Sequence, residues 1–302
     1  MNIPIQKTKI AVVGYGSVGR ALTQLFHQHG FEFVDVFEIE DTVNWKRAEQ
    51  EGFNPKSIQS MESTPNLLFL AVSDQHIEDT AKNLADILSK IRQGESSRTT
   101  KNNLVFHLSG RMGLNVLNPL KELSYSRVAF HPIQTFPTGA TADRFKGVTI
   151  GVTKDNEAGS LIDELVKALG LSKLEVEEQH RADYHLASVL ASNFLPILLD
   201  LGAKRLVEAG VDYEKAWKAL MPLVKGMVDS MGEFGPHDAA TGPVIRDDFE
   251  AVEAHSENLS NSETDFYIRL TEKLALLLLE GNKKDQEQYE SWKRALNSIS
   301  QN

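Results

Sequence analysis

The chain has 302 residues, 41% hydrophobic and 25% charged, with no cysteine and a formal net charge of −10. That length is enough for two domains with separate cores. The charge disfavours nucleic acid or an anionic membrane as a partner, because either surface repels it. The lack of cysteine excludes disulfides, thiolate metal sites and a cysteine nucleophile.

The first element is a short apolar strand, Lys9 to Val13, running into Gly14-Tyr15-Gly16-Ser17-Val18-Gly19. Val18, Ala21, Leu22, Leu25 and Phe26 then recur at helical spacing, and Gly30 supplies a stop. Further strands are expected at 33–37, 67–72, 104–108, 127–130, 148–152 and 174–176, with helical patterns between several of them. Alternating strands and helices imply a doubly wound parallel sheet, an α/β Rossmann fold. The polar stretch 93–103 reads as a surface loop. After about Glu178 strand signals stop and helical periodicity continues to the end. This divides the chain into a Rossmann domain (1–178) and an all-α domain (179–302). Pro196 and Pro222 lie in helical patterns and are expected to kink them. No signal-peptide-like run opens the sequence, and the leucine run 274–279 is too short to span a bilayer. A cytoplasmic protein without a membrane partner is expected. The same leucine run makes its helix apolar all round, which points to a homodimer through the helical domain.

The glycine motif follows a strand and opens a helix, the context a dinucleotide site requires. Gly14 permits the tight turn, Gly16 lets backbone approach a pyrophosphate, and Gly19 allows close helix–strand packing. Ser17 and Val18 contribute N–H groups at a helix start, which favours an anion. Glu38, at the end of the second strand, sits where a carboxylate holds the adenosine ribose and repels a 2′-phosphate. The cofactor is NAD or NADP, with NAD favoured.

Ala71-Val72-Ser73-Asp74-Gln75-His76-Ile77, His107-Leu108-Ser109-Gly110 and His131-Pro132-Ile133-Gln134-Thr135-Phe136-Pro137 resemble a family of Rossmann-like proteins with a C-terminal domain of unknown function, DUF2520. So do Arg181 to His185, Ala191-Ser192-Asn193, and Thr241-Gly242-Pro243-Val244-Ile245-Arg246 with Asp248 and His255. That family is similar to a wider group: pyrroline-5-carboxylate reductase, 6-phosphogluconate dehydrogenase, prephenate dehydrogenase, ketopantoate reductase and the F420-dependent NADP oxidoreductases. The resemblance implies a dehydrogenase or reductase, a homodimer built through the helical domain, and no particular substrate. The chain departs from the pattern in three places. Arg246-Asp247-Asp248 stands where the family often has Arg-Gly-Asp. Glu38-Ile39 replaces a small polar residue followed by Arg. Val189 occupies the place of a lysine found in several relatives, so their lysine acid/base role does not carry over.

Ligands of a doubly wound sheet sit beyond the carboxyl ends of its strands. Val72, Ser73 and Asp74 are expected to flank the dinucleotide, and Ser109 and Gly110 to approach the nicotinamide. His131 and Gln134 are expected beside the reacting carbon. On the next helix Arg181, His185, Ser188 and Ser192 share one face, bordered by Asn193. That face is expected to look into an interdomain cleft. His131 or His185 is the candidate acid/base. Asn193 and Ser192 orient substrate, and Arg181 or Arg246 holds a substrate carboxylate. Thr241 reads as the start of a helix that favours the same anion. None of His107, His131, His185 and His255 has a short metal-ligand spacing, which sets zinc aside. The leading reading is an NAD(P)-dependent oxidoreductase acting on a small carbonyl, imine or hydroxy acid. The competing one is a non-catalytic dinucleotide sensor or partner-binding protein.

Overall fold

The computed structural model describes residues 4–94 and 103–301. Seven strands form one sheet: β1 (Ile10–Val13), β2 (Val34–Phe37), β3 (Leu67–Leu70), β4 (Asn103–His107), β5 (Tyr125–Pro132), β6 (Thr149–Lys154) and β7 (Ser172–Glu175), in the order β2-β1-β3-β4-β5-β6-β7. Helices α1 (Ser17–Gln28), α2 (Val43–Gln50), α3 (Ile77–Gly94), α4 (Asn118–Lys121) and α5 (Gly159–Ala168) connect them. The chain moves to one side of β1 for β2 and to the other for β3, so the switch point lies between β1 and β3.

Strands β1, β3 and β4 are buried throughout, and alternate residues feed two cores. Val12, Phe69, Phe106 and Phe130 meet Leu22 and Phe26 of α1 and Leu165 of α5. Val13, Leu68, Leu70 and Val105 meet Ile77, Leu84 and Leu88 of α3. The Phe69 and Phe106 rings stack at 4.0 Å, and Phe130 meets Phe106 edge-on. Register aligns the strand ends: Val13 pairs with Leu70, Leu70 with His107, and His107 with Ala129. The loops that follow these four strands therefore leave from one edge.

The sheet is mostly parallel, as the doubly wound reading expects, with one antiparallel pair. β6 runs antiparallel to β5. Between Pro132 and Thr149 there is only a short 3-10 turn, Ala142–Phe145, and no crossover helix to return the chain to the opposite edge. The expected loop at 93–103 is helical through Gly94 and in strand from Asn103, and the remainder lies outside the described residues.

Beyond the sheet come α6 (Arg181–Ser192), α7 (Leu195–Glu208), α8 (Tyr213–Phe234), α9 (Pro236–Ala239), α10 (Phe249–Ser256), α11 (Asn261–Glu280) and α12 (Gln286–Gln301). Two compact units result, Met1–Leu195 and Pro196–Asn302. The first runs past the composition change at 178 and takes in α6, because α6 is bonded to the sheet by side chains described below. Pro196 lies in the first turn of α7, just after a break at Asn193–Phe194, and Pro222 is inside α8.

In the second unit Trp292 and Leu296 of α12 pack on Ala275 and Leu278 of α11 and on Val244 and Val252. Of the leucine run 274–279, Leu278 is buried within its own chain and the other leucines are partly covered. Large apolar side chains are exposed elsewhere in this unit, Leu223 at 69% and Phe234 at 57% among them. One helical run, Glu178–Glu208, is long and apolar enough to cross a bilayer by length and composition alone. It spans two helices, and its first turn is fixed to the sheet through Arg181. The expected helix at Thr241 is a turn. Asp247 there is left-handed, at φ 55°, and its carboxylate accepts from Lys284, Gln288 and Trp292, so α10 starts only at Phe249 with Asp248 as its cap.

Candidate active site

The glycine turn after β1 does three separate jobs. Gly14 is left-handed, φ +99°, and a Cβ there would lie 2.7 Å from the Ala71 carbonyl oxygen. Gly19 faces the same turn from α1, where a Cβ would meet the Gly14 oxygen at 2.0 Å. Gly16 has nothing within 4 Å of its missing Cβ. The turn is therefore closed behind and open in front, at the first turn of a helix whose leading N–H groups have no intrahelical acceptor. Ser17 and Val18 open that helix. The Glu38 carboxylate accepts from Tyr15 N (2.7 Å) and Ile39 N (2.8 Å), tying the end of β2 to the turn. Each oxygen keeps a lone pair for a ribose hydroxyl. Arg20, one residue past the motif, is occupied by Glu51 and by the Gly139 and Ala140 carbonyls. These residues fit a nicotinamide dinucleotide.

A second cluster stands at the ends of β3, β4 and β5. Ser109 donates to Asp74 Oδ2 at 2.8 Å and accepts from Arg111 N and Met112 N, which fixes the turn after β4. Gly110 is buried, and a Cβ on it would lie 2.7 Å from His185 Nδ1 and 3.0 Å from His131 Nε2. Two imidazole nitrogens from different elements converge on that point. His185 Nδ1 has no hydrogen-bond partner among the described residues although it is buried.

Arg181 is 2% exposed. Its guanidinium donates to Thr153 Oγ1 (2.9 Å) and to the Ser109 and Gly110 carbonyl oxygens (2.6 and 2.9 Å). Both terminal nitrogens are thus engaged within the protein, and the buried Nε has no hydrogen-bond partner among the described residues. The guanidinium fastens α6 to the turn after β4. Two neighbours repeat the attachment: Glu178 accepts from Leu114 N at 2.7 Å, and Tyr184 reaches His131 Nδ1 at 2.7 Å. His185 is accordingly part of the first compact unit rather than of the helical one.

Burial, with the Arg181 charge next in size, pushes both His107 and His131 down to about 4. An unfolded histidine takes its proton near pH 6.5. Between these values the unfolded chain binds more protons, so stability is intact above pH 6.5 and falls as pH drops toward 4. For His107, which is fully buried, the cost is on the order of 3 kcal/mol. His107→Gln, which keeps a donor for the Gly113 carbonyl, is expected to flatten that slope. Urea unfolding at pH 7 and pH 4.5 checks it, and an unchanged slope in the variant would refute the assignment.

The other nominated residues are placed as follows. Val72 lies against Gly14, and Ser73 is exposed at the start of the turn that carries Asp74. Gln134 is exposed and accepts from Thr135 N. The Ser188 and Ser192 hydroxyls bond back to carbonyls of their own helix. Asn193 is exposed at the end of α6, about 12 Å along the helix from His185, so it does not join the cluster. Thr241 and Arg246 are exposed in the second unit. Reading the sequence missed Tyr184, Thr153, Gly151 and Glu178. Among the described residues no group of three or more His, Cys, Asp or Glu side chains is placed to hold a metal ion.

Fold and turn together define a Rossmann protein of the nicotinamide-dinucleotide type. Residues 4–100 match the NADPH-binding domain of acetohydroxy acid isomeroreductase, and residues 148–274 match the family Domain of unknown function (DUF2520). The chain is 25% identical over 276 residues to ketol-acid reductoisomerase (NADP(+)) of Methanosphaera stadtmanae, covering 85% of this chain and 80% of that one. It shares its fold with a protein from Thermotoga maritima (TM-score 0.66, 20% identity, 91% of this chain and 100% of the other). It likewise shares it with an NADH-preferring ketol-acid reductoisomerase from an uncultured archean (TM-score 0.58, 18% identity, 97% and 82%).

Proposed function

We propose that the protein is a cytoplasmic NAD(P)-dependent oxidoreductase acting on a small carbonyl, imine or hydroxy-acid substrate. One observation carries this reading: His131 Nε2 and His185 Nδ1 converge beside the bare Gly110, at the sheet edge that also bears the Gly14–Gly19 turn. A bound nicotinamide supplies or takes the hydride. The chain's own task is then to hold the substrate oxygen or nitrogen and move one proton there, the work of a positioned acid or base. The test is a screen of small oxo acids, imines and hydroxy acids by NADH absorbance. Turnover of none of them, with NADH nevertheless bound, would favour a dinucleotide sensor.

We further propose NAD as the preferred cofactor, although the N-terminal match is to an NADPH-binding domain. The Glu38 carboxylate stands beside the turn, and a 2′-phosphate there would face it at a cost of ~1–3 kcal/mol, the range for a mismatched charged hydrogen bond. Calorimetric titration is expected to give tighter NADH than NADPH binding. Equal or tighter NADPH binding would overturn the preference.

A second copy of the chain is proposed as the cover for the exposed apolar side chains of the helical unit, including Leu223, Val228, Phe234 and Phe266. Light scattering at micromolar concentration is expected to give the dimer mass, and a monomer mass would reject it.

A further inference from the structure

Tyr184 does more than fasten α6 to the sheet, because its seat is closely fitted. A Cβ at Gly151 would lie 2.1 Å from the phenol oxygen, so only glycine on β6 leaves room for it. Gly151 pairs with His131 across β5 and β6, which brings the phenol and the imidazole to one spot. The Tyr184 oxygen is 2.7 Å from His131 Nδ1 and 3.2 Å from the His131 carbonyl oxygen.

A phenol has one proton to give. Hydroxyl-to-carbonyl bonds span about 2.5–3.0 Å, so the carbonyl lies beyond good range and the ring nitrogen within it. A neutral imidazole that accepts at Nδ1 carries its hydrogen on Nε2. Nε2 is the nitrogen turned toward Gly110 and His185.

We propose that Tyr184 is a positioning residue that holds His131 in the Nε2–H tautomer, so that the site offers a neutral hydrogen-bond donor to an uncharged carbonyl oxygen. This rests on the oxidoreductase reading and narrows it. A cationic iminium has no lone pair to accept from Nε2–H, and the buried Arg181 guanidinium repels it. An oxygen that gains negative charge is favoured by both. Burial and the Arg181 charge keep His131 neutral at pH 7, which the donor role requires.

The experiment is nitrogen-15 NMR of the free, histidine-labelled protein at pH 7, with His131→Gln to identify the resonances. His131 is expected to show a protonated Nε2 and an Nδ1 displaced from the unbonded position. In Tyr184→Phe, Nδ1 is expected to return to the unbonded value. Gly151→Ala, which displaces the phenol without removing it, is expected to do the same. A wild-type Nδ1–H tautomer, or an Nδ1 resonance unmoved in both variants, would overturn the proposal. The measurement uses neither dinucleotide nor substrate, so its failure leaves the oxidoreductase reading intact, and a protein that does not bind NADH leaves the tautomer result standing.

Discussion

Gly19→Val is expected to abolish dinucleotide binding and destabilise the fold, whereas Gly16→Ala is expected to weaken binding alone. The contrast follows from what each side chain would meet. At Gly19 the first added carbon falls 2.0 Å from the Gly14 carbonyl oxygen and 2.9 Å from Ala71 Cβ. Neither is a flexible side-chain end, so α1 must back away from β1 and β3. Overpacking of this kind costs about 1–3 kcal/mol, which lowers Tm by several degrees. The turn that would cradle the pyrophosphate is displaced with it, and NADH affinity is expected to fall about 100-fold or more, some 2.8 kcal/mol. At Gly16 the backbone is extended, with φ −68° and ψ −170°, a conformation alanine adopts freely, and the added methyl meets no atom of the protein. Stability should therefore hold within about 0.5 kcal/mol. The methyl would stand where a phosphate has to approach. Thermal unfolding and NADH calorimetry on the two variants separate these effects. Wild-type affinity in Gly16→Ala would show that no phosphate comes near that turn.

Removing the imidazoles is expected to spare binding and stop chemistry. His131→Ala and His185→Ala should retain NADH affinity, because neither residue touches the Gly14–Gly19 turn, while at least one loses turnover by ~10²–10⁴, the usual contribution of a positioned acid or base. Gly110→Ala is the complementary variant. It leaves both imidazoles in the chain but puts a methyl 2.7 Å from His185 Nδ1 and 3.0 Å from His131 Nε2, so that the two rings must shift from their places. It is expected to behave like the weaker of the two histidine variants or worse. Turnover at the wild-type rate in both histidine variants would remove proton transfer from these side chains.

The glycine turn was legible because each of its constraints is local: a φ only glycine favours, a contact within a strand–turn–helix unit, an open front. The strands were legible for the same reason, since β1, β3 and β4 are covered on both faces and read as unbroken apolar runs. The antiparallel β6 was not, because nothing in residues 149–154 differs from a parallel strand; the direction is set by the missing crossover helix upstream. Spacing puts Arg181 and His185 on one side of α6, but it cannot say that the terminal nitrogens of Arg181 would be taken by two backbone carbonyls and a threonine. Tyr184 escaped because its partners, Gly151 and His131, lie on two other elements. In the run of leucines at 274–279, Leu278 is buried against α12 of the same chain and Leu274 packs at the edge of that cluster.

Arg181 gives the site a charge that neither alkali nor salt can easily remove. Burial lowers its pKa, but a guanidinium starts so high that it keeps its proton at any pH the fold survives. Counterions screen exposed charges over roughly 10 Å and reach a buried one much less. The histidines around it therefore work against a constant electrostatic background. The titration of His107 and His131, rather than any change in that background, is what a pH profile of this protein would record. A lysine at position 181 would replace the fork by a point charge whose pKa shifts readily on burial, and the background itself would become titratable.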